Sequence, residues 1–226
     1  GDTHAISDAI MASSDVRKIT FTGSTAVGKT LVAHAAATMK HVSMELGGNA
    51  PLIVFDDADI TAAVAGTIAN KFRNAGQVCV AINRIYVHDT IYDEYVAKLG
   101  EAVARLTVGD GMTPGVAVGP LIDEKALEKV ERHVSDALGK EAELVTGGKR
   151  SPLGGTFYEP TLLSHCSDDM IIAHEETFGP VAACFRFESE KEVLSRANNT
   201  PFGLAAYFST KDLSRVFRVS QALEAG

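Results

Sequence analysis

The sequence predicts an α/β fold, an open and mostly parallel sheet with helices on both faces, and three observations predict it. Short runs rich in β-branched residues alternate with longer stretches of helical periodicity, the pattern of successive strand–helix units. The run Leu52-Ile53-Val54-Phe55 is apolar at every position, as a strand covered on both faces requires. The chain has 226 residues, 46% hydrophobic and 22% charged, enough to bury a core and unlike a disordered composition.

The elements follow in order. Lys18-Ile19-Thr20-Phe21 reads as a strand, then a glycine turn, then a helix over 27–39. Strands are expected at 41–44 and 52–55. A helix runs from Asp59, a natural N-cap, to about residue 72. Arg84-Ile85-Tyr86-Val87 is a further strand, and Thr90 opens an amphipathic helix toward Leu106. Residues 109–119 are turn-rich and read as a surface loop. Asp123 opens the next helix toward Leu138, with Glu128 and Arg132 spaced for an i,i+4 pair. Strands at 181–187 and 204–208 are each followed by a helix. The division expected is 1–46 as the end of a dinucleotide-binding domain and 47–226 as a catalytic domain, incomplete at its C-terminus.

Composition narrows function. A net charge of −8 argues against nucleic acid, whose binders carry a basic face. The three cysteines, Cys79, Cys166 and Cys184, form no C-x-x-C pair and no ligand spacing with histidine, so neither a disulfide framework nor a metal site is expected. A cytoplasmic location follows from the same sparse usage. No apolar run approaches the roughly 18 residues of a membrane span, and no signal-peptide pattern opens the sequence. Gly1 is not preceded by Met, and the last residues, Gln221 to Gly226, are helix-like, so both ends read as cut from something longer.

Chemistry concentrates in two motifs. Cys79 closes Phe72-Arg73-Asn74-Ala75-Gly76-Gln77-Val78-Cys79, and Glu45 precedes Leu46-Gly47-Gly48. A thiolate attacks a carbonyl carbon, and a carboxylate nearby can then deprotonate a water. A third motif competes with them. Gly23-Ser24-Thr25-Ala26-Val27-Gly28-Lys29-Thr30 satisfies the phosphate-loop pattern between a strand and a helix, and Asp56 imitates a magnesium-binding Asp. A P-loop nucleotide hydrolase is therefore a remote alternative. It leaves Glu45 and Cys79 without a task, and a helix N-terminus attracts the phosphate of a dinucleotide as well as that of a triphosphate.

These segments, with Gly119-Pro120-Leu121-Ile122, Gly147-Gly148, Glu175 to Val181 and Asn198 to Ala205, occur in an order that resembles the aldehyde dehydrogenase superfamily. Met44 to Pro51, Lys71 to Gln77 and Asp212 to Val219 point within it to the succinate-semialdehyde branch. The resemblance implies oxidation of an aldehyde, succinate semialdehyde first, to the acid, with hydride passing to NAD or NADP. Glutarate semialdehyde or another carboxylated aldehyde is the alternative substrate. It makes Cys79 the nucleophile and Glu45 the base. Gly23, Ser24, Gly28 and the Leu46 backbone become pyrophosphate-side cofactor contacts, Glu176 a ligand of the nicotinamide ribose, and Phe178 a limit on nicotinamide movement. Arg73 would grip the far carboxylate of the substrate. The family protein is about twice this long and forms dimers or tetramers, so a homo-oligomer is implied for the full-length protein. The chain alone is expected to turn over weakly or not at all.

Overall fold

The computed structural model describes residues 1–226, which fall into two compact units, Gly1–Gly47 and Gly48–Gly226.

In the first unit, α1 (Thr3–Ala12) is capped by Asp2, whose carboxylate accepts from the N–H groups of His4 and Ala5. The sequence reading omitted this helix. A parallel pair follows, β1 (Lys18–Thr22) and β2 (His41–Glu45), in register from Lys18 opposite His41 to Thr22 opposite Glu45. Between them lies α2 (Thr25–Ala36), which starts two residues earlier and ends three earlier than periodicity suggested. The start moves because Ser24 is the N-cap, its Oγ accepting from Val27 N–H. The end moves because Met39 turns left-handed at φ 54°. The Lys40 ammonium then donates to the carbonyls of Ser13 (2.7 Å) and Val16 (2.8 Å), tying the loop after α1 to the start of β2.

The second unit is built on a six-stranded sheet in the order β5-β6-β7-β4-β3-β8. Its strands are β3 (Ala50–Val54), β4 (Ile82–His88), β5 (Glu143–Thr146), β6 (Thr161–Cys166), β7 (Val181–Phe187) and β8 (Tyr207–Ser209). Only β5, at one edge, runs antiparallel. Every residue of β3 is buried, and β4 and β7 each leave one position half-buried, so the continuous apolar runs do mark strands covered on both faces. The helices are α3 (Ile60–Lys71), α4 (Tyr92–Ala104), α5 (Glu124–Gly139), the single turn α6 (Ile171–His174), α7 (Glu190–Asn198) and α8 (Leu213–Ala222). Asp59 and Asp123 cap α3 and α5 through Ala62 and Ala126 N–H. In α5, Leu127, Val130, Val134 and Ala137 bury one face.

Three local expectations are corrected. α4 opens at Tyr92, after a 3₁₀ turn over Asp89–Ile91 capped by His88, and Thr90 lies inside that turn. Arg132 does not pair with Glu128; its guanidinium reaches across to Glu175, which also accepts from His133. The last strand begins at Tyr207, so Leu204 to Ala206 form the approach to it. No helix is long and apolar enough to cross a membrane.

Candidate active site

Three segments of the second unit meet at the amino ends of its central strands: 48–49 before β3, 72–81 before β4, and 175–180 before β7. Ligands of open parallel sheets are usually met at the carboxyl ends, so this placement is unusual. It arises because each segment is the lead-in to its strand and holds a glycine where the backbone or a side chain of a neighbouring element leaves no room for a Cβ.

The segment before β4 is the most constrained. Asn74, Ala75 and Gly76 are consecutively left-handed, with φ of 52°, 55° and 73°. That run reverses the chain between α3 and β4. A side chain at Gly76 would strike the carbonyl oxygen of Gly179, so the turn rests directly on the corner before β7. Asn74 and Gln77 brace it from within: the Asn74 amide donates to Gln77 O (3.1 Å), and the Gln77 amide donates to Asn74 O (3.2 Å). Gln77 also reaches outward, donating to Pro120 O (3.2 Å) and accepting from Ile122 N–H (2.9 Å). This gives the 119–122 motif its task. Ala81 N–H closes a turn on Val78 O (2.9 Å), and the Tyr207 hydroxyl donates to Val80 O (2.8 Å).

Cys79 sits in this last turn, half-buried, whereas Cys166 and Cys184 are fully enclosed between β6 and β7. Burial drives the Cys166 thiol up to about 12 and the Cys184 thiol well above its ordinary range. Of three thiols, only Cys79 is placed to react. Arg73 begins the earlier turn, Arg73–Gly76, exposed, and its guanidinium makes no hydrogen bond or ion pair with the protein.

Gly48 links the segments. An added side chain there would meet the carbonyl oxygen of Cys79. Its N–H donates to Glu176 Oε1 at 2.9 Å, and its carbonyl accepts from the Asn83 amide at 3.4 Å. Glu176 is half-buried, and burial raises its carboxyl group; the Gly48 N–H and the charges of Lys129 and Lys71 pull the other way. Its second oxygen, Oε2, has no hydrogen-bond partner in the protein. Phe178 holds φ at 52°, a strained value for an aromatic residue, two positions before the proline that precedes β7. Arg84, fully buried, donates to Asn49 O twice and to the carbonyls of Arg196 and Ala197, which fixes the residue after Gly48.

The first unit gathers its candidates at the carboxyl ends of its strands. Gly23 and Ser24 join β1 to α2, and Gly23 N–H donates to the carbonyl of Glu45 at 3.0 Å. A side chain at Gly28 would come within 2.5 Å of a Leu46 methyl, so helix and strand end lie as close as glycine permits. Gly23 and Ser24 are exposed at the head of a twelve-residue helix. An exposed, glycine-lined helix N-terminus fits a pyrophosphate. The Glu45 carboxylate is exposed at the end of β2.

The phosphate-loop alternative fails here on geometry. Residues 25–28 are already helical, so no loop remains to wrap a triphosphate. Thr30 turns its hydroxyl back to Ala26 O, and Asp56 is taken by Arg215 at 3.0 Å. No group of three or more His, Cys, Asp or Glu residues could hold a metal ion.

Sequence reasoning missed Lys71, Asn83 and Arg84. The signal available was polarity out of place: Asn83-Arg84 opens an otherwise apolar strand, and Lys71 ends a helix whose neighbours are buried.

Comparison with known proteins identifies the family. The model of the aldehyde dehydrogenase family matches residues 1–226. The NADP(+) succinate-semialdehyde dehydrogenase of Escherichia coli K12 is 54% identical over 226 residues, all of this chain and 47% of that protein. The glutarate-semialdehyde dehydrogenase of Pseudomonas aeruginosa is 56% identical over 211 residues, 93% of this chain and 44% of the relative. A 3-sulfolactaldehyde dehydrogenase of Pseudomonas putida is 58% identical over 211 residues, 93% of this chain and 43% of the relative. The crystal structure of succinate-semialdehyde dehydrogenase from Burkholderia pseudomallei superposes with a TM-score of 0.99 at 55% identity, covering all of this chain and 47% of that one. The chain thus spans about half the length of the relatives it matches.

Proposed function

This chain belongs to the aldehyde dehydrogenase family, and from that premise we propose that it carries the nucleophile, base and part of the cofactor site of an NAD- or NADP-dependent semialdehyde dehydrogenase. The observation that carries the reading is Cys79: the one thiol open to reaction, in a turn packed against the glycine that anchors Glu176.

The Cys79 sulfur, as thiolate, adds to the aldehyde carbon; the C–S bond forms and the carbonyl electron pair moves to oxygen. Backbone N–H donors in the Cys79 turn would stabilise that oxyanion, a contribution worth about 3 kcal/mol per donor in comparable sites. The cofactor, when bound, supplies the hydride acceptor. Loss of hydride from the former aldehyde carbon leaves a thioester on Cys79. Glu45 takes a proton from water, the resulting hydroxide attacks the thioester carbon, the C–S bond breaks, and the acid departs. Gly23, Ser24, Gly28 and the Leu46 backbone would hold the pyrophosphate, the free Oε2 of Glu176 the ribose, and Phe178 would border the nicotinamide.

The substrate is an aldehyde with an anionic far end. Relatives more than half identical are named for succinate semialdehyde, glutarate semialdehyde and 3-sulfolactaldehyde. These differ in length but share an anionic tail, which suits the unpaired guanidinium of Arg73. Succinate semialdehyde is the preferred substrate, with the glutarate compound second. Three free cysteines suit a reducing compartment, the cytoplasm, and a homo-oligomer is the expected assembly.

The test is trapping of the thioester. In the dehydrogenase that carries this chain, Glu45→Gln mixed with cofactor and succinate semialdehyde should release one equivalent of reduced cofactor in a burst. Intact-mass measurement should then find a succinyl group on Cys79. A variant that turns over at the wild-type rate, or an adduct elsewhere, overturns the assignment.

A further inference from the structure

Lys71 is the last residue of α3 and has no exposed surface. Lysines are almost never buried without a charged partner, yet no carboxylate lies within ion-pair reach of this one. Its single hydrogen bond runs from Nζ to Asn83 Oδ1 at 3.1 Å. The contact does not end there. The Asn83 amide donates to the Gly48 carbonyl at 3.4 Å, and the Gly48 N–H donates to Glu176 Oε1 at 2.9 Å. A chain of contacts therefore runs from a buried ammonium, through a side-chain amide and the Gly48 backbone, to the carboxylate; the Gly48 carbonyl and N–H belong to successive peptide units joined at its Cα. The Asn83 amide is conjugated and relays polarisation; beyond it the coupling is positional, since the bond to Asn83 holds the Gly48 backbone whose N–H holds Glu176.

We infer that Lys71 is a positioning residue for cofactor binding: through Asn83 and the Gly48 backbone it aligns the Glu176 carboxylate, so that the charge on Lys71 is read out as cofactor affinity. The inference rests on the proposed role of Glu176 as a cofactor ligand. No other route to the carboxylate is as direct. Lys129 acts on Glu176 only through space, and the Gly48 backbone lies so near the Cys79 carbonyl that a Cβ would not fit between them.

The charged groups that act on Lys71 are Glu176, which favours its cation, and Lys129, which disfavours it; burial outweighs both and lowers it to about 7. The sign follows. Below neutrality Lys71 is a cation, donates strongly to Asn83, and helps keep Glu176 ionised. As pH rises through neutrality the charge is lost, the chain weakens, and cofactor affinity falls.

The test is binding of reduced cofactor, followed by its fluorescence without substrate, from about pH 6 to about pH 9. Wild type should lose about fivefold in affinity across neutrality, the size of a modest coupling between two sites. Lys71→Gln keeps a donor toward Asn83 but carries no charge; it should bind at the weaker level throughout and lose the step. Lys71→Met should behave alike, and Lys71→Arg should hold the tighter level at every pH. A merely structural lysine would alter stability and leave the step in place. Lys71→Gln with an unchanged step overturns the inference. Glu176→Gln separates the two claims: if it binds cofactor as wild type does, the role of Glu176 itself fails. If it weakens binding while the Lys71 variants do not, only the Lys71 inference fails. Should the Lys71 variants not fold, a wild-type affinity that is flat across neutrality overturns it alone.

Discussion

Cys79 and Arg73 lie in the same segment before β4, and the proposed reaction assigns them different ends of one molecule: the sulfur the reacting carbon, the guanidinium the tail. Arg73 makes no contact with the protein, so its removal leaves no buried partner behind. Arg73→Ala should therefore leave stability unchanged and raise KM for succinate semialdehyde about tenfold or more, the loss of one charge-assisted pair. KM for an uncharged aldehyde of similar length should move little. Equal losses on both substrates would remove Arg73 from the pocket. Cys79 and Glu45 stand out in the sequence as candidates because each carries reactive chemistry near glycines. Lys71 and Asn83 do not. Their role depends on which atoms meet across the fold, and a lysine in an apolar helix end looks from sequence like a surface residue.

At the scale of elements, the left-handed run 74–76 makes the site. Ala75 accepts a conformation that glycine or asparagine takes more readily, and Phe178 does the same across the contact. Such conformations cost about 1–3 kcal/mol each and persist where surrounding structure over-determines them. Here the braces are the two Gln77 bonds to residues 120–122 and the Tyr207 bond to Val80. Gly76→Ala would add both a strained φ and a collision with Gly179. It should lower the urea stability of the Gly48–Gly226 unit by about 2 kcal/mol or more and cut kcat more than KM. A midpoint unchanged from wild type would show that the contact can relax. The strands and helices around this turn were mostly legible, since aspartates at 59 and 123 cap as expected. β5 and β6 were not, because a register shift between Leu163 and Cys166, with His165 at φ 53°, breaks the alternation a strand would display.

For the whole molecule, buried titratable groups set the pH range of stability. His133 has a side chain without exposure, and burial lowers it to about 4, against support from Glu175. The unfolded chain binds a proton on this group below about 6.5 and the folded one only below about 4, so stability is lost as pH falls through that window. Lys71 acts at the other end. It is neutral in the fold above about 7 but protonated in the unfolded chain up to about 10.4, so stability rises with pH across that interval, in total by on the order of 4 kcal/mol. Lys71→Met should flatten the alkaline rise and be the more stable protein at neutral pH; urea midpoints from about pH 6 to about pH 9.5 decide it. A rise that survives the substitution would mean that Lys71 is charged in the folded state.

The architecture itself was readable from the sequence, because fully buried parallel strands leave an apolar signature that alternation does not obscure. The positions of the two units' functional residues at opposite strand ends were not, since which rim a loop serves is a property of chain direction in space. The buried ammonium has a last implication for laboratory selection. On the role proposed for Lys71, a screen that scores heat resistance alone would favour its replacement by an apolar residue early, and would enrich clones that withstand heat yet let go of their coenzyme.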